Sequence, residues 1–372
     1  MNVVLFTHSL ASDWNHGNAH FLRGVARELQ ARGHRVTAWE PAGAWSVQHL
    51  LADAGPAALD GWLEAYPTLA DARHVYDPAD VEGTLDRALD GADGRTLVLV
   101  HEWNDPALVA AAGRRRARGG PFRLLFHDTH HRSVTAPEEV AAYDLSAYDG
   151  VLAFGEAVRQ VYLARGWAAR AWTWHEAADP DVFRPLPNAQ REGDLVWVGN
   201  WGDDERTAEL REFLLGPVRA LGLRARVHGV RYPDAARREL AEAGVDYRGW
   251  LPNYRVPRAF AAFSVTVHVP RRPYVRALPG VPTIRVFEAL ACGIPLVSAP
   301  WDDAEGLFAP GRDFLVARDG AGMTAHLRDV LSDPAMARAL ADHGRQTVLA
   351  RHTCGHRADE LVAVARALGI PA

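Results

Sequence analysis

Short runs of apolar, often β-branched residues recur along the chain, each followed at once by a stretch whose apolar positions fall at helical spacing. Residues 3–7 form the first such run, and Phe21, Leu22, Val25, Ala26 and Leu29 then share one face of a helix. Gly33 stops that helix and residues 35–39 predict the next strand. The pattern repeats at residues 97–101, 122–128 and 150–154. After a proline-flanked passage at 180–187 it restarts at 195–199, with further strands expected at 225–230, 246–250, 265–269, 295–298 and 314–317. Strands alternating with amphipathic helices predict an α/β class with parallel sheets. The restart predicts two Rossmann-like domains, residues 1–183 and 184–350. Residues 351–372 then form a helix, with Ala358, Leu361, Val362, Ala365 and Leu368 on one face, that packs back on the first domain. Ligands of open α/β sheets bind beyond the carboxyl ends of the strands, so two such sheets facing each other would enclose a cleft suited to joining two substrates.

Composition narrows this without changing it. At 372 residues the chain exceeds a single ordinary core. Hydrophobic residues make up 48% and charged residues 23%, as in soluble globular proteins, and no apolar run approaches the roughly 20 residues that span a bilayer. The amino terminus lacks a basic region and a cleavable small-residue site, so the expected compartment is the cytoplasm. Peripheral contact with a membrane surface stays open. A net charge of −5 gives no general attraction to nucleic acid. Cys292 and Cys354 are too few for a disulfide framework or a thiolate zinc site and read as packing residues.

The densest candidate chemistry lies at Pro279-Gly280-Val281-Pro282-Thr283 and the predicted helix 284–292. Gly280 and Pro282 shape the turn and Thr283 is the expected N-cap. The amides of the helix start, with Arg285 on its first turn, suit a diphosphate. Glu288, one turn further in, offers the paired oxygens that two vicinal ribose hydroxyls require. On spacing alone, Glu288 reads equally well as an exposed residue of an amphipathic helix.

The run Arg285-Val286-Phe287-Glu288-Ala289-Leu290-Ala291-Cys292-Gly293-Ile294-Pro295 resembles the E-A-x-A-x-G-x-P signature in the donor domain of GT-B glycosyltransferases, in a form similar to the CgeB-like and family 4-like group. Further blocks resemble that group in the right order: Gly17-Asn18-Ala19-His20, Gly33-His34-Arg35-Val36, residues 179–185, Val198-Gly199-Asn200-Trp201, Gly249-Trp250-Leu251-Pro252 and residues 352–357. The resemblance implies a GT-B fold and a hexosyltransferase that moves a sugar from a UDP- or GDP-sugar, without a metal or other cofactor, to a small-molecule, glycan or protein acceptor. It implies ribose binding by Glu288, diphosphate binding by Arg285 and Thr283, base contacts at Gly249, Trp250 and Leu251, and a binding turn at Gly199 and Asn200; Arg206 is a further phosphate candidate that reads more readily as a solvated helix residue. Many retaining members carry a second glutamate eight positions before the first. Here that position is Gly280, which leaves the stereochemistry open.

Polar groups at the predicted strand ends of the first half supply the acceptor side. His20, at a helix start whose dipole favours neutral imidazole, is the first candidate general base and Asp13 the second. Capping or packing is the competing reading for His20. Asn18, His101, Glu102, His127 and Asp128 are expected to line the acceptor site. His127-Asp128-Thr129-His130-His131 lacks the spacing of a metal face, so no metal is expected. Of Trp14, Trp39, Trp45 and Trp103, one or two are expected to stack on ligand. A nucleotide-sugar epimerase or hydrolase, or a non-catalytic nucleotide-sugar-binding protein, are the alternative functions. Base, sugar, acceptor and oligomeric state are not written in the sequence.

Overall fold

The computed structural model describes residues 1–187 and 189–371. It divides into two compact units, Met1–Glu176 with Cys354–Ala372, and Ala177–Thr353. The first holds a seven-stranded parallel sheet of β1 (Asn2–Phe6), β2 (Arg35–Pro41), β3 (Arg73–Tyr76), β4 (Thr96–His101), β5 (Phe122–Asp128), β6 (Gly150–Ala153) and β7 (Ala171–Thr173), in the order β3-β2-β1-β4-β5-β6-β7. The central strands are apolar at successive positions because helices cover both faces of the sheet. Val3 to Phe6, Leu97 to Val100 and Leu124 to Phe126 are all buried. In register, Phe6 pairs with Trp39 and Val100, and His101 with His127, so the loops after β1, β2, β4 and β5 leave the same edge.

The second unit holds β8 (Leu195–Val198), β9 (Ala225–His228), β10 (Asp246–Tyr247), β11 (Val265–His268), β12 (Leu296–Ser298) and β13 (Leu315–Val316), again parallel, in the order β10-β9-β8-β11-β12-β13. Alternation along β8 divides its core. Leu195 and Trp197 join one apolar cluster, while Val196 and Val198 join another with Phe260, Phe287 and Leu290. In both sheets the strand order reverses beside the first strand, between β1 and β4 and between β8 and β11, which is where a crevice for ligand forms.

The Cys354–Ala367 helix packs on the Asn18–Ala31 helix within the first unit. Arg32 pairs with Asp359 at 2.8 Å, and Trp174 Nε1 donates to the carbonyl of Arg357 at 2.9 Å. Both cysteines are buried thiols. No helix among the described residues is long and apolar enough to cross a membrane. Two strands lack the apolar signature that marked the others: β3, reading Arg-His-Val-Tyr at one edge, and the three-residue β7 at the other.

Candidate functional site

The Ile284–Ala291 helix buries every residue but Arg285. Thr283 stands at its N-cap position with extended backbone, but its hydroxyl makes no cap. Instead Thr283 Oγ1 lies 3.2 Å from His268 Nε2 at the end of β11, and His268 Nδ1 lies 2.9 Å from Ser298 Oγ at the end of β12. Burial lowers the His268 pKa to about 3, so this bridge is neutral. Gly280 adopts φ +85°, and a Cβ there would stand 2.6 Å from Glu305 Cγ. Conformation and contact both disfavour a side chain at this position.

Glu288 is 1% exposed, which removes its reading as a surface residue. Its Oε1 accepts from Asn253 Nδ2 at 2.9 Å and its Oε2 from Arg285 Nη1 at 2.5 Å, while Arg285 Nη1 also reaches Asn253 Oδ1 at 3.1 Å. The three side chains close a ring that holds the carboxylate in one orientation inside the protein. The guanidinium expected to face a diphosphate is therefore the one that holds Glu288. Asn253 was not singled out in the sequence. Its only signal there was an amide directly after the Gly-Trp-Leu-Pro block.

At the β8–β11 crevice, the turn Gly199-Asn200 is locked to the end of β9. Gly199 N donates to His228 O at 2.8 Å and Val230 N to Asn200 Oδ1 at 3.0 Å. Gly229 has φ +156°, and a Cβ on it would come 1.9 Å from Gly199 O, so only glycine admits this approach. Gly229 N in turn donates to Gly249 O at 2.8 Å. Gly199, Asn200 and Gly249 are thus neighbours, with Trp250 and Leu251 half-buried just beyond.

Arg206 lies across the same crevice. Its guanidinium donates to the carbonyls of Asn200 and, at 3.1 Å, Val269, bridging the residues that follow β8 and β11. Its Cζ is 5.2 Å from the centre of the Trp197 ring. Among the described residues no carboxylate pairs with Arg206, and its Nε has no partner. Burial, reinforced by the nearby charge of Arg271, pushes its pKa down to about 9. Its hydrogen bonds to described residues go only to carbonyl oxygens, and the carboxylate of Glu205 acts on it from nearby.

In the first unit, Asp13 Oδ2 pairs with Arg23 Nη1 at 3.0 Å, with both side chains buried, and Arg23 Nε donates to Leu10 O at 2.6 Å. Through Arg23, Asp13 is tied to the backbone of the loop after β1. His20 is buried on the first turn of the Asn18–Ala31 helix. Asn18 is buried with neither amide atom partnered, and His16 and His127 each keep an unpartnered Nε2.

The rings of His8, His16, His101 and His127 follow one another at centroid separations of 4.9, 6.0 and 5.3 Å. Burial lowers all four pKa values, to about 4 for His8 and about 3 for His127. His8 was not singled out in the sequence, although a histidine two positions past a strand is a visible signal. Glu102 Oε1 accepts from Thr129 N at 2.9 Å and its Oε2 from Arg132 Nη2 at 2.8 Å. Asp128 accepts from Tyr162 OH at 2.8 Å and His130 N at 2.9 Å. Burial, and then the charge of Asp128, push Glu102 up to about 8, and burial also raises Asp128. Among the described residues no group of three or more histidine, cysteine or acidic side chains is placed to hold a metal ion.

With this geometry in view, the known structures are informative. Sucrose-phosphate synthase from Thermosynechococcus elongatus superposes with a TM-score of 0.69 at 17% identity, covering 99% of each chain. A glycosyltransferase from Rickettsia africae gives 0.68 at 10% identity over 100% of this chain and 99% of its own. HepE of Anabaena, solved with UDP-glucose, gives 0.67 at 13% identity over 98% of this chain and 100% of its own. The fold is GT-B. Residues 206–363 match the family model described as glycosyl transferase-like, a span that starts at Arg206 and contains Asn253, Arg285 and Glu288. No curated protein matches the sequence. In this GT-B chain one set of contacts joins Arg206, Asn200, Gly229 and Gly249, and another joins Asn253, Arg285 and Glu288.

Proposed function

We propose that this protein is a glycosyltransferase, a hexosyltransferase of the CgeB-like group, that moves a sugar from a UDP- or GDP-sugar to an acceptor. The observation that carries the reading is Arg206, a buried guanidinium at the β8–β11 crevice that is bonded to carbonyl oxygens and, among the described residues, paired with no carboxylate. A diphosphate would supply a paired negative charge. The oriented carboxylate of Glu288 supports ribose binding, and the loop Gly249-Trp250-Leu251 supports contacts to the base. HepE, solved with UDP-glucose, shares the fold, and the family model covers this half of the chain.

In this reading the second unit binds the donor. Arg206, with the backbone at Thr283 and the amides that follow it, neutralises the leaving diphosphate, and no step is assigned to a metal or other cofactor. Acceptor recognition falls to the first unit, through Asn18, His101, Glu102, His127 and Asp128, with His20 as the proposed base.

The test is incubation of the purified chain with UDP-, GDP- and TDP-sugars, following thermal stabilisation and release of free nucleoside diphosphate. Release that disappears in Glu288→Ala and Arg206→Ala supports transfer. Epimerised donor without release, or stabilisation without turnover, would replace transfer by epimerisation or by binding alone. Absence of stabilisation by every nucleotide would remove the donor site.

A further inference from the structure

A pocket of about 370 Å3 opens in the first unit at the carboxyl ends of β1 to β4, and its walls include His8, Trp45, Tyr76, Trp103, Arg132 and Tyr143. That volume falls within the range of roughly 300–1,000 Å3 usual for small-molecule sites. Trp45 and Trp103 are both half-buried, with ring centroids 6.4 Å apart and planes at 73°, so they form an aromatic corner. His8 covers part of Trp45 at 4.7 Å, and the Arg132 guanidinium lies 4.2 Å from the Trp103 ring centre. Trp14 and Trp39 are buried and lie on His49 and His74 within the fold.

The charged side chains of the pocket are already engaged. Arg132 is bound to Glu102 at 2.8 Å and to Glu139 at 3.4 Å, and Asp105 accepts from Ala107 N at 2.7 Å as the cap of the Pro106–Ala117 helix. Asn104 is also committed, donating to Phe6 O and His101 O, both at 2.8 Å. His8 differs. It is 2% exposed and its Nε2 has no partner in the protein. A neutral imidazole nitrogen pairs with a hydroxyl as donor or acceptor according to its tautomer. Aromatic walls, paired charges and two unmatched nitrogens, His8 Nε2 and the Arg132 Nε beside Trp103, point to an uncharged ligand with a flat face and hydroxyls.

We infer that this pocket binds an uncharged hydroxylated ring, a sugar or a phenol, with the ring against Trp45 and Trp103 and a hydroxyl on His8 Nε2. The ligand is the acceptor, with Glu102 the one proposed acceptor residue that also lines this pocket, and this role rests on the transfer reading. The binding itself does not.

The full chain is titrated with methyl glucoside, with phenol and with glucose 6-phosphate while tryptophan emission is followed. The expected result is saturable quenching by a neutral ring, weaker binding of the anionic sugar, and a midpoint raised roughly tenfold in Trp45→Ala. Which neutral probe saturates separates a sugar from a phenol. Should Trp45→Ala fail to fold, Trp103→Phe keeps a ring under Arg132 and is expected to lower the quenching amplitude. No saturation by either neutral probe, equal binding of glucose 6-phosphate, or an unchanged midpoint and amplitude in the variants overturns the inference. Stabilisation by UDP, measured on the same proteins, reports on the second unit. Its absence in the wild type would remove the transfer reading and leave the pocket result standing.

Discussion

Asn253 Nδ2 donates to Glu288 Oε1 at 2.9 Å across 35 positions of sequence, and this bond joins the loop after β10 to the helix that carries the carboxylate. Glu288 has two oxygens, one taken by Asn253 and the other by Arg285, so a ribose would be read by lone pairs whose directions those partners set. Asn253→Ala removes one partner and leaves the carboxylate less well fixed. Nucleoside diphosphate binding is expected to weaken roughly tenfold, as for a lost hydrogen bond to a charged group. Isothermal titration of the variant with UDP and GDP checks it, and binding of a neutral ring to the first unit should not change.

Arg206 invites a separation of stability from binding. Its guanidinium is buried with no carboxylate paired to it among the described residues, an arrangement that adds little to folding. Arg206→Met keeps the apolar stem of the side chain while removing the guanidinium and its charge. The ligand-free melting temperature is expected to move by only a few degrees. The rise in melting temperature on adding a nucleoside diphosphate should disappear. A variant that keeps the full rise would show that the anion lies elsewhere.

Glu102 sets a pH dependence whose sign follows from the direction of its shift. Its pKa is raised from 4.5 to about 8, so the native state holds a proton that the unfolded chain releases. The resulting stability is complete below about pH 4.5 and is lost as pH rises through about 8. His8, His16, His101, His127, His228 and His268 are shifted downward and act in the opposite direction up to about pH 7.5, because the imidazoles of the unfolded chain are still half protonated at about pH 6.5. The difference between the wild type and Glu102→Gln cancels that part and reports on Glu102 in its setting of Asp128, Arg132 and Tyr143. From about pH 6.5 to 8 the wild type is expected to lose about 2 kcal/mol relative to the variant. Urea melts of both proteins across that window measure it.

The sheets were legible because strands covered on both faces are apolar at successive positions, as in β4 and β5. The edge strands β3 and β7 were not, since an edge strand of a few residues carries no continuous run. Glu288 was legible through its helix and the resemblance around it. Its partner Asn253 was not, because nothing in sequence spacing brings position 253 to position 288. His8 and Arg132 were overlooked for a different reason. A histidine and an arginine near strand ends are common, and only the pocket shape and the pairing of Arg132 with Glu102 show which atoms are committed and which are left over.

Gly280 and Glu305 offer the sharpest test of the local geometry in the second unit. The resembling family carries a glutamate at this position in many retaining members, so restoring it is an obvious experiment. The structure opposes it twice. With φ at +85°, any side chain at 280 strains the backbone, at about 1 kcal/mol. A Cβ there also lies 2.6 Å from Glu305 Cγ and 3.1 Å from Glu305 N, so the overlap involves a side chain that can move and a backbone atom that can do so only with its loop. Gly280→Ala should therefore lower stability by about 2–3 kcal/mol, the sum of strain and overpacking. In a Glu305→Ala background the side-chain part of the overlap is gone, and the same change should cost about 1 kcal/mol less. A double-mutant cycle read by chemical denaturation measures that difference. Strict additivity would mean that Glu305 swings away freely and that backbone conformation alone keeps position 280 a glycine.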